Sequence, residues 1–215
     1  MQILHYDDLD IVGFAGIRER ILVMDSRVFG YRRREECWEG VGPLTYLAHA
    51  YFKAGGSTGL HHHDNVDILS IVTRGRIMHK GSAGDEVELR AGDIMLQRSG
   101  SVGFSHDEIN PDDDIAGIVQ VWLLPDSQKD ADASLTVFSP GTCETLLYRS
   151  AGYDVLVVVL EAGVSVEAPE GALMYVYEGA MLSEGLALPR GTLIRGTGEI
   201  LQSDSAVRLL VCRKK

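Results

Sequence analysis

The sequence predicts an all-β protein built as two tandem β-barrels, and three observations carry that prediction. Its apolar stretches are short, rich in Val, Ile, Leu and Tyr, and end at turn signals. Those signals recur roughly every ten residues, the rhythm of a sandwich or barrel. The two halves also share a logic. RGRIMHKGSAGDEVELRAGDIML and YEGAMLSEGLALPRGTLIRG each run strand, Gly turn, strand, Gly turn, strand, with Gly92 or Gly191 before the last strand. That is the mark of an internal duplication with divergence.

Taken in order, the expected strands of the first half include YLAHAYF, DILSIVTRG, RIMHKG, DEVELRAGD and IAGIVQVWLLP. Helical periodicity is scarce, and only Asp7–Ile17 offers a helix or a long loop. A boundary is expected after Trp122–Pro125, where DSQKDADAS is polar and turn-rich enough to connect domains. Strands resume at LTVF, ETLLYR, YDVLVVVLEAG, ALMYVYEGAML and AVRLLVCR. The expected domains are therefore a metal-binding barrel over residues 1–125 and a degenerate barrel, without metal ligands, over 126–215.

At 215 residues each half is long enough to bury a core. The net charge of −11 argues against phosphate-backbone attraction, so no nucleic-acid partner is expected. Arg32, Arg33 and Arg34 are followed at once by Glu35 and Glu36, and Asp112–Asp114 reads as a solvated loop. No apolar run reaches the length of a membrane span. MQILHYDDLDIVGF lacks the features of a signal peptide. Cys37, Cys143 and Cys212 form no CxxC pair. A cytoplasmic protein is the expectation.

All seven histidines lie at or before position 106, so a His-based metal site belongs to the first half. His61 and His63 are two apart at the start of an apolar run, and in a strand such residues project from one face. His62, between them, should point the other way. GFSHDEIN offers a second pair at the same spacing, His106 and Glu108. If the two strands are neighbours on a barrel wall, the four side chains meet inside. Three imidazoles and a carboxylate suit Fe²⁺, Mn²⁺, Ni²⁺, Cu²⁺ or Zn²⁺. A HHH run alone is often a solvated loop; the matched pairs argue for a site. Four protein ligands leave a six-coordinate ion two open positions, as a catalytic rather than a structural site requires.

These residues resemble a known family. Gly55, then His61, His63 and Asp67, look like the first cupin motif, and RAGDIMLQRSGSVGFSHDE looks like the second in the form that pirins use. QVWLLP resembles a closing pirin strand. The resemblance is dense over residues 44–125 and only architectural from 126 to 215. It implies a pirin-like bicupin of two jelly-roll barrels, with the ligand set His61, His63, His106 and Glu108 and one divalent metal. Fe²⁺ is the first choice; Mn, Ni, Cu, Co or Zn are the others. His62 replaces the usual Pro and Asp67 the usual Glu, so an outer contact of the site is expected to differ.

The resemblance further implies a metal-dependent dioxygenase that opens flavonol-like, quercetin-type substrates with O₂, Glu108 being the proton acceptor. The alternative is a metal-bearing, redox-responsive regulatory or protein-binding module; the acidic surface permits a basic protein partner but names none. Isomerisation or decarboxylation is a third, weaker option. An accessible apolar cavity in the first barrel would favour the enzyme. His79 is expected at the surface or in packing rather than in the pocket, His49 in the core, Trp38 and Trp122 in core or inter-barrel packing, and Cys37 and Cys212 are expected to be structural.

Overall fold

The computed structural model describes residues 1–126, 131–141 and 143–215. Residues 127–130 of the expected connection DSQKDADAS lie outside the described residues. The first half carries β1 (Gln2–His5), β2 (Ile17–Met24), β3 (Leu44–Phe52), β4 (His61–His63), β5 (Asp67–Arg74), β6 (Arg76–Gly81), β7 (Gly84–Arg90), β8 (Ile94–Arg98), β9 (Phe104–Ile109) and β10 (Ala116–Leu123). The second carries β11 (Ser134–Phe138), β12 (Cys143–Ser150), β13 (Tyr153–Leu160), β14 (Ser165–Ala168), β15 (Leu173–Glu178), β16 (Ala180–Ser183), β17 (Leu186–Pro189), β18 (Thr192–Arg195), β19 (Glu199–Ser203) and β20 (Val207–Lys214). The Asp7–Ile17 segment is a loop entered through a 3-10 turn at Tyr6–Asp8. The α-helix among the described residues is the single turn α1 (Ser26–Phe29). No helix among them is long and apolar enough to cross a membrane.

Each barrel closes a six-stranded sheet against a four-stranded one. The order β11-β8-β5-β10-β3-β2 over β4-β9-β6-β7 is matched by β1-β18-β15-β20-β13-β12 over β14-β19-β16-β17. The duplication read from the two hairpin repeats thus extends to every strand. Two strands cross the division expected at residue 125. β1 pairs with β18 in the second barrel, and β11 pairs with β8 in the first. Each half lends the other one edge strand, which covers hydrogen-bonding groups that an edge would leave open.

Side-chain alternation sorts the core into layers. In β3, β5, β8 and β10 one set of residues, including Leu47, Leu69, Leu96 and Val119, faces the other barrel. There it meets Val155, Val157, Leu173, Tyr175 and Leu210. The opposite set, including Phe52, Val72, Met95 and Ile118, fills one end of the first barrel. Both faces of these strands are covered, which is why DILSIVTRG and YDVLVVVLEAG read as continuous apolar runs rather than strict alternations. The interior of the second barrel is packed with Leu156, Val158, Met174, Met181, Leu201 and Leu209.

Candidate metal centre

Strand β9 reads FSHDEI, and its burial alternates so that Phe104, His106 and Glu108 point inward. The antiparallel partner β4 places His61 directly opposite His106. His62 is exposed, with its Nδ1 3.2 Å from Ser105 Oγ on the outside. Asp107, also outward, accepts from Ser57 Oγ at 2.7 Å and from Thr58 Oγ1 at 3.2 Å, which ties the incoming loop to β9. On the other flank Gly81 opposes His106 across the sheet. A Cβ at Gly81 would lie 2.4 Å from Ser105 O and 3.0 Å from His106 Cβ, so only glycine lets β6 approach this closely.

His61, His63 and His106 bring one ring nitrogen each within 4.8 Å of the others. Two of the three tautomers follow from the hydrogen bonds. His61 Nδ1 lies 2.7 Å from Gly59 O, and His106 Nδ1 lies 2.8 Å from Gln97 Oε1. Each partner is an oxygen that can only accept, so both Nδ1 atoms carry the proton. The two Nε2 atoms then present lone pairs to each other across 3.1 Å. Facing lone pairs at that distance repel unless a cation lies between them, and an outward Nδ1–H bonded to an acceptor is the usual support of a ligating imidazole. The donor set therefore fits a metal ion.

Glu108 does not lie within the 4.8 Å group. It is fully buried, accepts from Ser70 Oγ at 2.9 Å and from Gln120 Nε2 at 3.0 Å, and lines the same pocket as His61 and His63. Trp122 Nε1 donates to Gln120 Oε1 at 3.4 Å, which turns the amide so that its NH₂ faces the carboxylate. The pocket has a volume of about 270 Å³ and walls that include Phe14, Ile17, Phe29 and Trp122.

Residues 39–123 match the family model described as Pirin. The chain carries a pirin domain. Within the curated relatives, the quercetin 2,3-dioxygenase of Escherichia coli strain K12 is 28% identical over 88 residues, 40% of this chain and 38% of that protein. Across the first relatives the alignments span only 30% to 38% of the relative's own length. Among solved structures, the E. coli bacterial pirin YhhW in complex with nickel(II) superposes with a TM-score of 0.80 at 16% identity. It covers 98% of this chain and 97% of that one. A quercetin 2,3-dioxygenase from Acinetobacter baumannii gives a TM-score of 0.69 at 17% identity, over all of this chain and 86% of that one. At these identities the structures establish the shared bicupin fold.

Burial dominates the electrostatics of the pirin domain. It pushes the imidazolium of His63 down to about 4 and that of His106 to about 2, with the neighbouring histidines adding to both. It pushes the Glu108 carboxyl up to about 7, against the hydrogen bonds from Ser70 and Gln120. Neutral imidazoles are the form that binds a metal.

Two features of the pirin domain, Trp122 and Asp67, differ from what the sequence suggested; His79 packs as expected. Trp122 was expected in packing, but its ring lines the pocket 5.3 Å from His63 and 4.7 Å from Tyr46. Asp67 faces away from the site. It accepts from Ser99 N at 2.8 Å and from the Tyr148 hydroxyl at 2.9 Å, joining the two halves. His79 is fully buried behind the site, its Nε2 3.3 Å from His106 Nδ1. Gln97, Ser70 and Gln120 went unnoticed. Each is a lone polar residue at an inward position of an otherwise apolar strand, and that was the available signal. His49 is bonded to Tyr175, and Cys37 and Cys212 are buried thiols pushed up to about 11 and about 12, as inert structural cysteines should be.

Proposed function

We propose that the pirin domain holds one divalent metal ion through His61, His63, His106 and Glu108, with Fe²⁺ the first ion to test, and acts as a dioxygenase on flavonol-like, quercetin-type substrates. The observation that carries this reading is the apolar pocket lined by His61, His63 and Glu108, with His106 grouped beside the two imidazoles. A regulatory metal site has no need of such a chamber. The names of the curated relatives support the substrate class.

A bound ion would supply Lewis acidity and open positions for an enolic oxygen and for dioxygen. The remaining roles fall to side chains. Glu108, fully buried at the pocket, takes the proton of the substrate's acidic hydroxyl. Ser70 and Gln120 hold its two oxygens in place. Phe14, Phe29 and Trp122 offer aromatic surface to a flat ring and exclude water. Glu19, accepting from the Tyr46 hydroxyl at 2.8 Å, gives the apolar wall one polar anchor for a phenolic hydroxyl.

The test couples metal content to oxygen uptake. Protein purified without a His-tag is reconstituted anaerobically with Fe²⁺ and mixed with quercetin in an oxygen electrode. Metal-dependent uptake that disappears in His63→Ala establishes the reading. Near-stoichiometric metal without uptake would favour the redox-responsive module or another substrate class. Glu108→Gln should keep most of the metal and lose turnover; equal loss of metal would sink the base assignment.

A further inference from the structure

A second cavity, of about 210 Å³, lies on the opposite side of β2 and takes walls from both halves of the chain. Alternation along β2 separates the two chambers. Ile17, Glu19 and Ile21 line the metal pocket, while Arg18 and Arg20 point into the cleft between the barrels. Arg74 and Arg190 reach the same cleft. Four guanidiniums converge there in a chain whose net charge is −11.

Their partners decide what the cleft can do. Arg20 is paired with Asp7 at 3.1 Å and Arg74 with Asp114 at 2.6 Å. Glu19 also borders the cleft, but its carboxylate is engaged by Tyr46. Arg18 donates only to the carbonyls of Ala15 and Ile17, and Arg190 reaches the Tyr6 hydroxyl at 3.5 Å. Neither Arg18 nor Arg190 meets a carboxylate among the described residues. Both line the same cleft.

The floor is rigid. The Tyr6 ring packs 5.3 Å from His49 with the Arg20 guanidinium 5.1 Å above it, and His49 Nδ1 lies 2.5 Å from the Tyr175 hydroxyl of the second barrel. Gly191 makes room for that ring: a Cβ there would sit 2.0 Å from Tyr6, and its φ of +94° suits glycine. Ile11, Ala50 and Ile115 add apolar wall. We propose that this inter-barrel cleft binds a small organic anion, its carboxylate or phosphate held by Arg18 and Arg190 and its apolar body set on the Tyr6 ring. Arginine matches both headgroups bidentately, and a cleft with apolar walls prefers them attached to a hydrocarbon body.

Isothermal titration of the full chain with benzoate, phenyl phosphate and inorganic phosphate tests this, each on metal-loaded and EDTA-treated protein. One benzoate or phenyl phosphate should bind per chain, more tightly than inorganic phosphate and independently of metal, weakening as salt is raised. Arg190→Gln and Arg18→Gln, surface changes that leave the core intact, should each weaken it at least tenfold. The relative strength of the two organic probes reports whether the headgroup is carboxylate or phosphate. No binding, binding indifferent to both Arg variants, or binding that vanishes with EDTA would overturn the proposal, the last placing the anion on the metal instead.

Discussion

The two barrels share every strand and differ in what those strands point inward. In the first, β4 and β9 present His61, His63, His106 and Glu108; in the second, the matching β14 and β19 pair Val166 with Leu201. Ser70 and Gln120, paired across β5 and β10, have the paired Met174 and Val211 as their counterparts on β15 and β20. The second barrel, whose buried polar side chains at these inward positions are serines, shows that the fold closes without inward imidazoles or a buried carboxylate. The polar cluster of the first is therefore not a requirement of the architecture. Buried imidazoles and a buried carboxylate cost stability, and the proposed metal site accounts for their presence at the inward positions of one barrel only.

The sharpest way to break this comparison is to remove one polar residue from the first barrel. His106→Ala should take bound metal from about one ion per chain to near none, read by elemental analysis after reconstitution, while the protein still unfolds cooperatively. Collapse of the fold would mean that the cluster is structural after all. The complementary change is Leu201→Ala in β19. It removes a fully buried side chain from the second interior and should cost about 2–5 kcal/mol in urea denaturation. Metal stoichiometry should be unchanged.

Much of this contrast was legible beforehand. Period-two spacing placed His61 with His63 and His106 with Glu108, and the Gly-punctuated repeat of residues 74–96 and 177–196 announced the duplication. The exchange of β1 and β11 between sheets was not legible, because pairing partners far apart in sequence leave no local pattern. Nor was Trp122's place in the pocket. In a strand covered on both faces the two sets of side chains are alike in polarity, so burial alone does not say which chamber a residue faces. Asp67 was misread for a related reason: its position in the motif pointed to the metal, whereas the strand's alternation turns it to the second barrel.

Where the barrels meet, pH supplies the next test. Burial lowers His49 to about 4 in the folded protein, with the charges of Arg190 and Arg20 adding to the shift. A histidine depressed on folding binds more protons unfolded, so its stabilisation is complete above an unfolded value of about 6.5 and is lost as pH falls through about 4. The full shift corresponds to about 3 kcal/mol, an upper figure because part of the ring is open to the cleft. His63 and His106 slope the same way, so the quantity to measure is the difference between wild type and His49→Gln in metal-free protein. The variant should lose less stability between pH 7 and pH 4. Parallel curves would show that His49 is no more buried from protons in the folded chain than in the unfolded one.

The smallest expected effect sharpens the idea that the second barrel braces the first without touching its chemistry. The Tyr148 hydroxyl donates to Asp67 Oδ2 at 2.9 Å, while Asp67 Oδ1 accepts from Ser99 N and, at 3.3 Å, from Ser99 Oγ. Both residues are buried. Tyr148→Phe withdraws one donor from a buried carboxylate and leaves the ring's packing in place, so the loss should be about 2 kcal/mol. Asp67→Asn in the same background should cost less than it does alone, since the two changes act on one interaction. Metal content and affinity should be untouched, because Asp67 precedes Ile68, and it is Ile68, Ser70 and Val72 that β5 turns toward the interior of the first barrel. If instead Tyr148→Phe weakened metal binding, the brace would reach the site through β5 and Ser70, and the two barrels would be one functional unit rather than a working chamber and its support.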